Sequence, residues 1–383
     1  MLKVARTAVP AKRNLNRERS LWHDSKRQTI PLGCAKCPEL ELCDGLQIAA
    51  NAFDCLSFCC GKPDECQKVC RNNPAYPDRK REIRGFDLAN VPSLKRVPGP
   101  SLPVVVPLIF HGKSRNERIA PAAVALPLYR MFNLRDGNLR YSRREELCRD
   151  FGVSIESQII LSGTATDPPL EKWWALGSER RQLIIKTMRN IGIALVTTPN
   201  YSLFLDVPRW DDLHSMKRIA LVHQEFTDGG LPTALHVNGR TDADFRRWAE
   251  YICARPQITH LAYEFATGTG WAGRRERHAE WLISLANAVK RPLHLVIRGG
   301  TDVMSRLQRA YDNLSLVETS IFMKTIKRRR AIPTSSSRLT WLMCPTATGT
   351  PLDELMQANL KTVERWLQAK MAAKEDHNES QAA

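Results

Sequence analysis

Short apolar runs alternate with amphipathic segments over the second half of the chain. The clearest runs cover residues 233–238 (TALHVN), 258–264 (ITHLAYE) and 293–298 (LHLVIR), and each is bounded by Pro or Gly and rich in β-forming residues. Runs of this length favour buried parallel strands over helices.

The segments between these runs have helical character. Residues 241–254 begin with Thr241 and Asp244, which resemble a capping box, and their apolar positions share one face. Residues 274–289 also place apolar side chains at helical spacing. The order strand, helix, strand, helix, strand is the repeating unit of a doubly wound sheet or of a barrel.

The same alternation extends to both sides of this central unit. Further strands are predicted at residues 104–110, 158–161, 193–197, 314–318 and 339–343. Further helices are predicted at residues 179–190, 211–226, 301–311 and 351–371. Eight strands with intervening helices predict an α/β fold, a (β/α)8 barrel-like domain over residues 104–373. The long irregular stretch 111–157 leaves an open doubly wound sheet as the alternative.

The region before the barrel is different in composition. Residues 1–33 form a basic arm, 34–72 a Cys-rich module and 73–103 a Pro-rich basic linker, while 374–383 have the composition of a disordered tail. The Cys-rich module holds eight of the eleven cysteines: Cys34, Cys37, Cys43, Cys55, Cys59, Cys60, Cys66 and Cys70. Eight thiolates match two tetrahedral four-sulfur sites, so the module predicts bound metal or a cluster.

Either an iron–sulfur cluster or zinc could bind these cysteines, and the cysteine spacing distinguishes the two only in part. Cys34-x2-Cys37-x5-Cys43 and Cys60-x5-Cys66-x3-Cys70 resemble, in pieces, the CX2CX5CX3C run of the auxiliary-cluster domains of radical S-adenosylmethionine enzymes, which hold [4Fe-4S]. The CxxxCxxC motif of the radical core is absent, which disfavours radical chemistry. The resemblance slightly favours a [4Fe-4S] cluster over Zn²⁺, which would make a redox-silent knuckle.

The charge and hydropathy of the chain limit the classes of partner and the compartment that we expect. The chain has 57 Lys+Arg against 40 Asp+Glu, a net charge of +17 and a pI near 9.6, which favours a polyanionic partner, either nucleic acid (DNA or RNA) or an anionic membrane face. It has no apolar run long enough for a membrane span and no apolar secretory h-region, so we expect a cytoplasmic protein that does not enter a membrane. In that compartment clustered cysteines indicate metal rather than disulfides.

The carboxyl ends of barrel strands face one mouth, which makes the polar residues there site candidates. They are His111, Ser162, Asn200, Asp206, His236, Asn238, Glu264, Arg298 and Lys324. We predict Asp206 and Glu264 as nucleophile or general base and His236 for proton transfer. Asn200, Asn238 and Lys324 are predicted to bind substrate, Arg209 and Arg298 to neutralise phosphate, and Trp210 to stack on a base.

The motifs TTPNYS, DVPRWDD, ALHVNGR, YEFATG and VIRGG follow in this order over residues 197–300. In this they resemble a domain family of phage and plasmid genomes that has no known activity to transfer. The barrel, metal module and basic surface are also remotely similar to guanine transglycosylases. We therefore expect a metal- or iron–sulfur-containing enzyme acting on nucleic acid or a nucleotide. The alternatives are a non-catalytic nucleic-acid-binding protein of a mobile element and an iron–sulfur redox protein.

Overall fold

The computed structural model describes residues 76–204, 209–266, 272–334, 338–347 and 349–372. The basic arm, the eight clustered cysteines, Asp206 and the C-terminal tail lie outside the described residues. The strands are β1 (Val105–Pro107), β2 (Ala123–Pro127), β3 (Gln158–Ser162), β4 (Leu195–Thr197), β5 (Thr233–His236), β6 (His260–Glu264), β7 (His294–Arg298), β8 (Asn313–Glu318), β9 (Arg329–Pro333) and β10 (Leu339–Met343).

The helices surround these strands. They are α1 (Tyr76–Glu82), α2 (Arg144–Phe151), α3 (Asp167–Ala175), α4 (Gly177–Asn190), α5 (Arg209–Asp228), α6 (Asp242–Cys253), α7 (Ala272–Val289), α8 (Met304–Gln308), α9 (Ser320–Ile326) and α10 (Asp353–Ala372). The capping box predicted for α6 is confirmed, because Thr241 and Asp244 each accept a hydrogen bond from the other's backbone N–H. Phe245, Trp248 and Ile252 of this helix are buried, as its amphipathic pattern predicts.

Eight parallel strands form a nearly closed barrel in the order β1-β8-β7-β6-β5-β4-β3-β2. The remaining seam lies between β1 and β2. Leu108 bridges to Ala125 across it, and the N–H of Ile109 donates to the carbonyl of Ala125 at 2.9 Å. The predicted (β/α)8 barrel is therefore confirmed, and the open sheet is wrong.

One barrel strand lies where the sequence suggested irregular structure. β2 lies inside the stretch 111–157, whereas residues 339–343 form no barrel strand. They are β10, which pairs antiparallel with β9 in a separate two-stranded sheet and leaves Leu342 and Met343 exposed. The error has a physical cause. β2 is alanine-rich and ends in proline, so it has weak β propensity, and its burial alone makes it a strand.

The barrel interior has an apolar middle and polar ends. The middle consists of Val106, Leu108, Ala123, Ala125, Ile160, Leu195, Ala234, Ala262, Val296 and Val317. Side chains on a strand alternate, so residues two positions away also point inward. This places Ser162, Thr197, His236, Glu264 and Arg298 at the carboxyl end of the interior, and His260, His294 and Ser315 at the amino end.

The segment before β1 closes the amino end. His260 donates from Nε2 to the carbonyl of Pro100 at 3.0 Å, and Ser315 donates to the carbonyl of Pro103 at 2.7 Å. The Ser315 hydroxyl is thereby left to accept from Nε2 of His294 at 2.9 Å. Gly99 packs so closely that a Cβ there would lie 2.1 Å from the His260 ring. The amino end of the barrel interior is therefore filled by the segment before β1 and hydrogen-bonded to it, and we call this region the plug.

The rest of the described linker is held against the outer helices. Lys217 donates to the carbonyl of Asp87, and Arg247 donates to that of Phe86. Arg255 reaches the carbonyl of Val91 at 3.1 Å. Burial lowers the pKa of Lys217 to about 8, and the negative charge of Asp87 offsets this only in part. These cations satisfy the carbonyls of a chain segment that has no sheet partner.

Candidate functional site

A cavity of about 540 Å³ opens at the carboxyl mouth of the barrel. Its described lining comes from the ends of β1, β2, β3 and β7 and from the loops after β2 and β3. The lining residues are Leu108, Phe110, Pro127, Tyr129, Arg130, Leu134, Arg140, Ser162, Thr164, Ala165, Thr166, Pro169 and Arg298. Cavities of this size hold small organic ligands.

Glu264 and Arg298 form an ion pair next to this cavity. They end the neighbouring strands β6 and β7 in direct register, which brings Nη1 of Arg298 to 3.2 Å from Oε2 of Glu264. The other carboxylate oxygen accepts from the N–H of Ala266 at 2.6 Å. The Glu264 side chain is 5 % exposed and that of Arg298 24 %, so the guanidinium faces the cavity and the carboxylate lies behind it.

His236 lies deeper, at the end of β5. It is 2 % exposed, and its Nδ1 is buried with no hydrogen-bond partner among the described residues. Burial, assisted by the positive charge of Arg298, lowers the pKa of His236 to about 3. The imidazole is therefore neutral at pH 7, and it suits hydrogen bonding better than proton transfer.

Ser162 and its loop form the opposite side of the mouth. The N–H of Gly163 donates to Oγ1 of Thr197, and Tyr129 donates its hydroxyl hydrogen to the carbonyl of Gly163, both at 2.9 Å. A Cβ at Gly163 would lie 2.3 Å from the carbonyl oxygen of Thr197, so the close approach of β3 and β4 requires glycine. Ser162 is 4 % exposed, yet no described residue hydrogen-bonds its hydroxyl.

Two arginines that the sequence interpretation missed line the same cavity. Arg130 ends the short 3-10 turn Leu128–Arg130 directly after β2, and Arg140 follows in the next loop. Both are exposed, and neither has a carboxylate within ion-pair distance in the part of the chain that the structure describes. Recognising β2 as a strand would have identified Arg130, because it follows the strand's carboxyl end.

Asn200 and Asn238, both predicted to bind substrate, hold loops together. Asn200 accepts from the N–H of Ala165 at 3.2 Å, and Asn238 donates to the carbonyl of Tyr201 at 2.8 Å. These bonds join the loops after β3, β4 and β5. Both amides lie beside the mouth, but the bonds they form are to protein backbone.

The remaining predicted substrate residues lie on helices. Trp210 is 6 % exposed in the first turn of α5, where the guanidinium of Arg79 lies 5.6 Å from the centre of its ring. Arg209 begins this helix, and its side chain lies outside the described residues, as does all of Asp206. Lys324 is half-buried in the last turn of α9.

No group of three or more His, Cys, Asp or Glu residues suited to a metal occurs among the described residues. The eight predicted ligands all lie before residue 76, so neither [4Fe-4S] nor Zn²⁺ is tested by this structure. The three other cysteines, Cys148, Cys253 and Cys344, are free thiols. None of the described helices is both long and apolar enough to cross a membrane.

A comparison with protein-family models finds no match for the chain, and a search of curated proteins finds none with significant similarity. The resemblance of residues 197–300 to the phage and plasmid family therefore stays a prediction.

Proposed function

We propose that this protein is an enzyme that acts on a nucleotide or on a nucleic acid at the carboxyl mouth of its barrel. One observation carries the proposal: the buried Glu264 is paired with Arg298 at 3.2 Å, and the guanidinium lines a ligand-sized cavity. A buried carboxylate with a charged partner beside a cleft is a candidate general base or nucleophile.

The residues of the mouth suggest separate roles. Glu264 is the candidate base or nucleophile. Its ion-pair partner Arg298 lines the cavity, so the reacting group of the substrate must bind beside that guanidinium. Arg298 would neutralise phosphate, and the neutral His236 would hydrogen-bond rather than carry a proton. Asp206 stays a second carboxylate candidate. The reaction class would be base or nucleotide modification, with transglycosylation as the analogy.

The net charge of +17 favours a second candidate, a non-catalytic nucleic-acid-binding protein of a phage or plasmid. In that reading the barrel is a scaffold and the basic segments bind phosphates without chemistry. The two candidates make opposite predictions for Glu264, because a scaffold does not need its carboxylate.

The experiment compares wild type with Glu264→Gln. Purified protein is incubated with RNA, DNA and mononucleotides, and the released bases and altered nucleosides are quantified by mass spectrometry. We expect product from wild type and a loss of about 10²- to 10⁴-fold in the variant, the usual contribution of an acid–base group. Glu280→Gln is the matched control, since the Glu280 side chain is 61 % exposed on α7.

Two results would contradict the enzymatic proposal. One is a Glu264→Gln variant that is folded and as active as wild type. The other is a wild-type protein that binds these substrates and leaves all of them unchanged, which would establish the non-catalytic binder.

The cysteine module is proposed to hold [4Fe-4S], with Zn²⁺ as the alternative and an iron–sulfur redox protein as the third functional candidate. Anaerobic purification with metal analysis and an absorption spectrum separates these proposals. Iron with visible absorption supports the cluster, and stoichiometric zinc in a colourless protein removes both the cluster and the redox function. A stable protein free of both metals would refute metal binding.

A further inference from the structure

We infer that the mouth cavity binds a nucleoside monophosphate, with the phosphate held by Arg130, Arg140 and the Ser162 hydroxyl and the base against the apolar wall at Phe110. The inference deepens the proposed function and rests on it for the nucleotide class. The binding site itself follows from the charge, burial and shape of the cavity.

The charge of the cavity is one-sided. Its thirteen described lining residues include three arginines and no aspartate or glutamate. Arg298 already has Glu264 as its partner, whereas Arg130 and Arg140 have no carboxylate partner among the described residues. A guanidinium presents its N–H groups as a planar fork that matches the oxygens of phosphate, so two unpaired forks at one rim favour a doubly charged anion.

The hydroxyl of Ser162 gives independent support. Ser162 is 4 % exposed and lines the cavity, and no described residue hydrogen-bonds its hydroxyl, whose oxygen is not among the fully buried unpartnered atoms and so reaches the cavity space. A serine hydroxyl in this position can donate one hydrogen bond to a ligand in the cavity. A phosphate oxygen bound there would accept that hydrogen bond.

The nearby start of α3 contributes little to anion binding. Pro168 and Pro169 occupy its first turn and have no N–H, and the N–H of Ala165 is already bonded to Asn200. A helix start normally attracts anions through free N–H groups. The affinity of this cavity for an anion must therefore come from side chains, chiefly from the arginines.

Part of the cavity lining is apolar. Leu108, Phe110, Pro127 and Leu134 form this part, and the Phe110 ring is steadied by Phe322 at a centroid distance of 5.5 Å. An aromatic ring is a platform on which a nucleobase stacks. A cavity lined by both apolar and cationic side chains fits a ligand with a flat ring at one end and a phosphate at the other.

Calorimetric titration of the full-length protein with AMP, adenosine and inorganic phosphate tests the inference. We expect AMP to bind more tightly than adenosine in the wild type. Each arginine should contribute about tenfold, the worth of one charge-assisted hydrogen bond, so Arg130→Ala/Arg140→Ala should weaken AMP about 100-fold and adenosine little. Arg135→Ala is the matched control, because Arg135 is exposed in the same segment and does not line the cavity.

Three outcomes would overturn the inference: equal affinity for AMP and adenosine, a double variant that binds AMP like Arg135→Ala, or equal weakening of AMP and adenosine. Arg130→Lys/Arg140→Lys replaces the double alanine variant if that one unfolds, and it should bind AMP with intermediate affinity because it keeps the charge without the fork. Turnover that depends on Glu264 alongside any of the three would leave the proposed function standing and remove the phosphate site alone.

Discussion

The two ends of the barrel interior use similar side chains for opposite purposes. At the amino end, His260, His294 and Ser315 bond to one another or to the carbonyls of Pro100 and Pro103, and the linker fills the opening. At the carboxyl end, Nδ1 of His236 and Nε of Arg298 are buried without a hydrogen-bond partner among the described residues, and Ser162 and Arg298 line a cavity.

This difference separates structural polar groups from functional ones. Burying a polar atom without a partner costs about 1–3 kcal/mol, so an unpartnered group beside a cavity is a candidate for contact with a ligand. The plug shows that this barrel can satisfy its interior histidines, since His260 bonds to the carbonyl of Pro100 and His294 to the hydroxyl of Ser315. The mouth lacks that arrangement, which is why we assign its unsatisfied groups to a ligand.

The largest expected effect comes from breaking the ion pair at the mouth. Arg298→Met leaves the carboxylate of Glu264 buried without a cation, and we expect the free energy of unfolding to fall by about 3 kcal/mol. Arg298→Met/Glu264→Gln should regain much of this loss, because the buried charge is gone. Urea unfolding of both variants measures the coupling. An Arg298→Met protein as stable as wild type would show that the ion pair does not contribute to the stability of the fold.

A smaller effect concerns pH and the plug. Burial, with a contribution from His260, lowers the pKa of His294 to about 4, while an unfolded histidine titrates near 6.5. The unfolded state therefore takes up a proton first, and the stability that neutral His294 provides is lost as pH falls from about 6.5 towards 4. At pH 5 this loss is about 2 kcal/mol.

His294→Gln tests that assignment, because glutamine can donate to Ser315 without titrating. Urea unfolding at pH 7 and pH 5 should show a drop about 2 kcal/mol smaller in the variant than in wild type. Equal drops in the two proteins would place the acid sensitivity elsewhere, for example at His236.

The smallest effect compares one serine from each end. Ser315→Ala leaves Nε2 of His294 and the carbonyl of Pro103 unpaired, so we expect a loss of about 1–2 kcal/mol in unfolding free energy. Ser162→Ala removes a hydroxyl with no described partner and should change stability by less than about 0.5 kcal/mol. Thermal or urea unfolding compares them directly. Equal losses would contradict the contrast between plug and mouth.

The sequence predicted much of the fold because most strands combine strong β propensity with clear boundaries. Residues 258–264 and 293–298 contain β6 and β7, the neighbouring strands that bring Arg298 to Glu264. β2 was missed because its alanines signal neither strand nor helix, and residues 339–343 were misplaced because propensity does not report burial.

The site was less predictable because it depends on contacts between distant loops. Arg130 and Arg140 follow a strand that the sequence did not reveal, so they had no predicted position. Asn200 and Asn238 are polar residues at strand ends, as site residues often are, but their amides bond to the backbone of neighbouring loops. Residue type and spacing do not separate a loop-bracing amide from a ligand-binding one.

Hydrogen–deuterium exchange with and without AMP tests the central claim most directly, because it reports where on the barrel a ligand acts. The account predicts slower exchange in residues 128–140, 158–166 and 294–300 at the carboxyl mouth, and unchanged exchange in residues 96–103 at the plug. Protection at the plug, or at neither end while AMP is bound, would contradict the assignment of the mouth as the functional site.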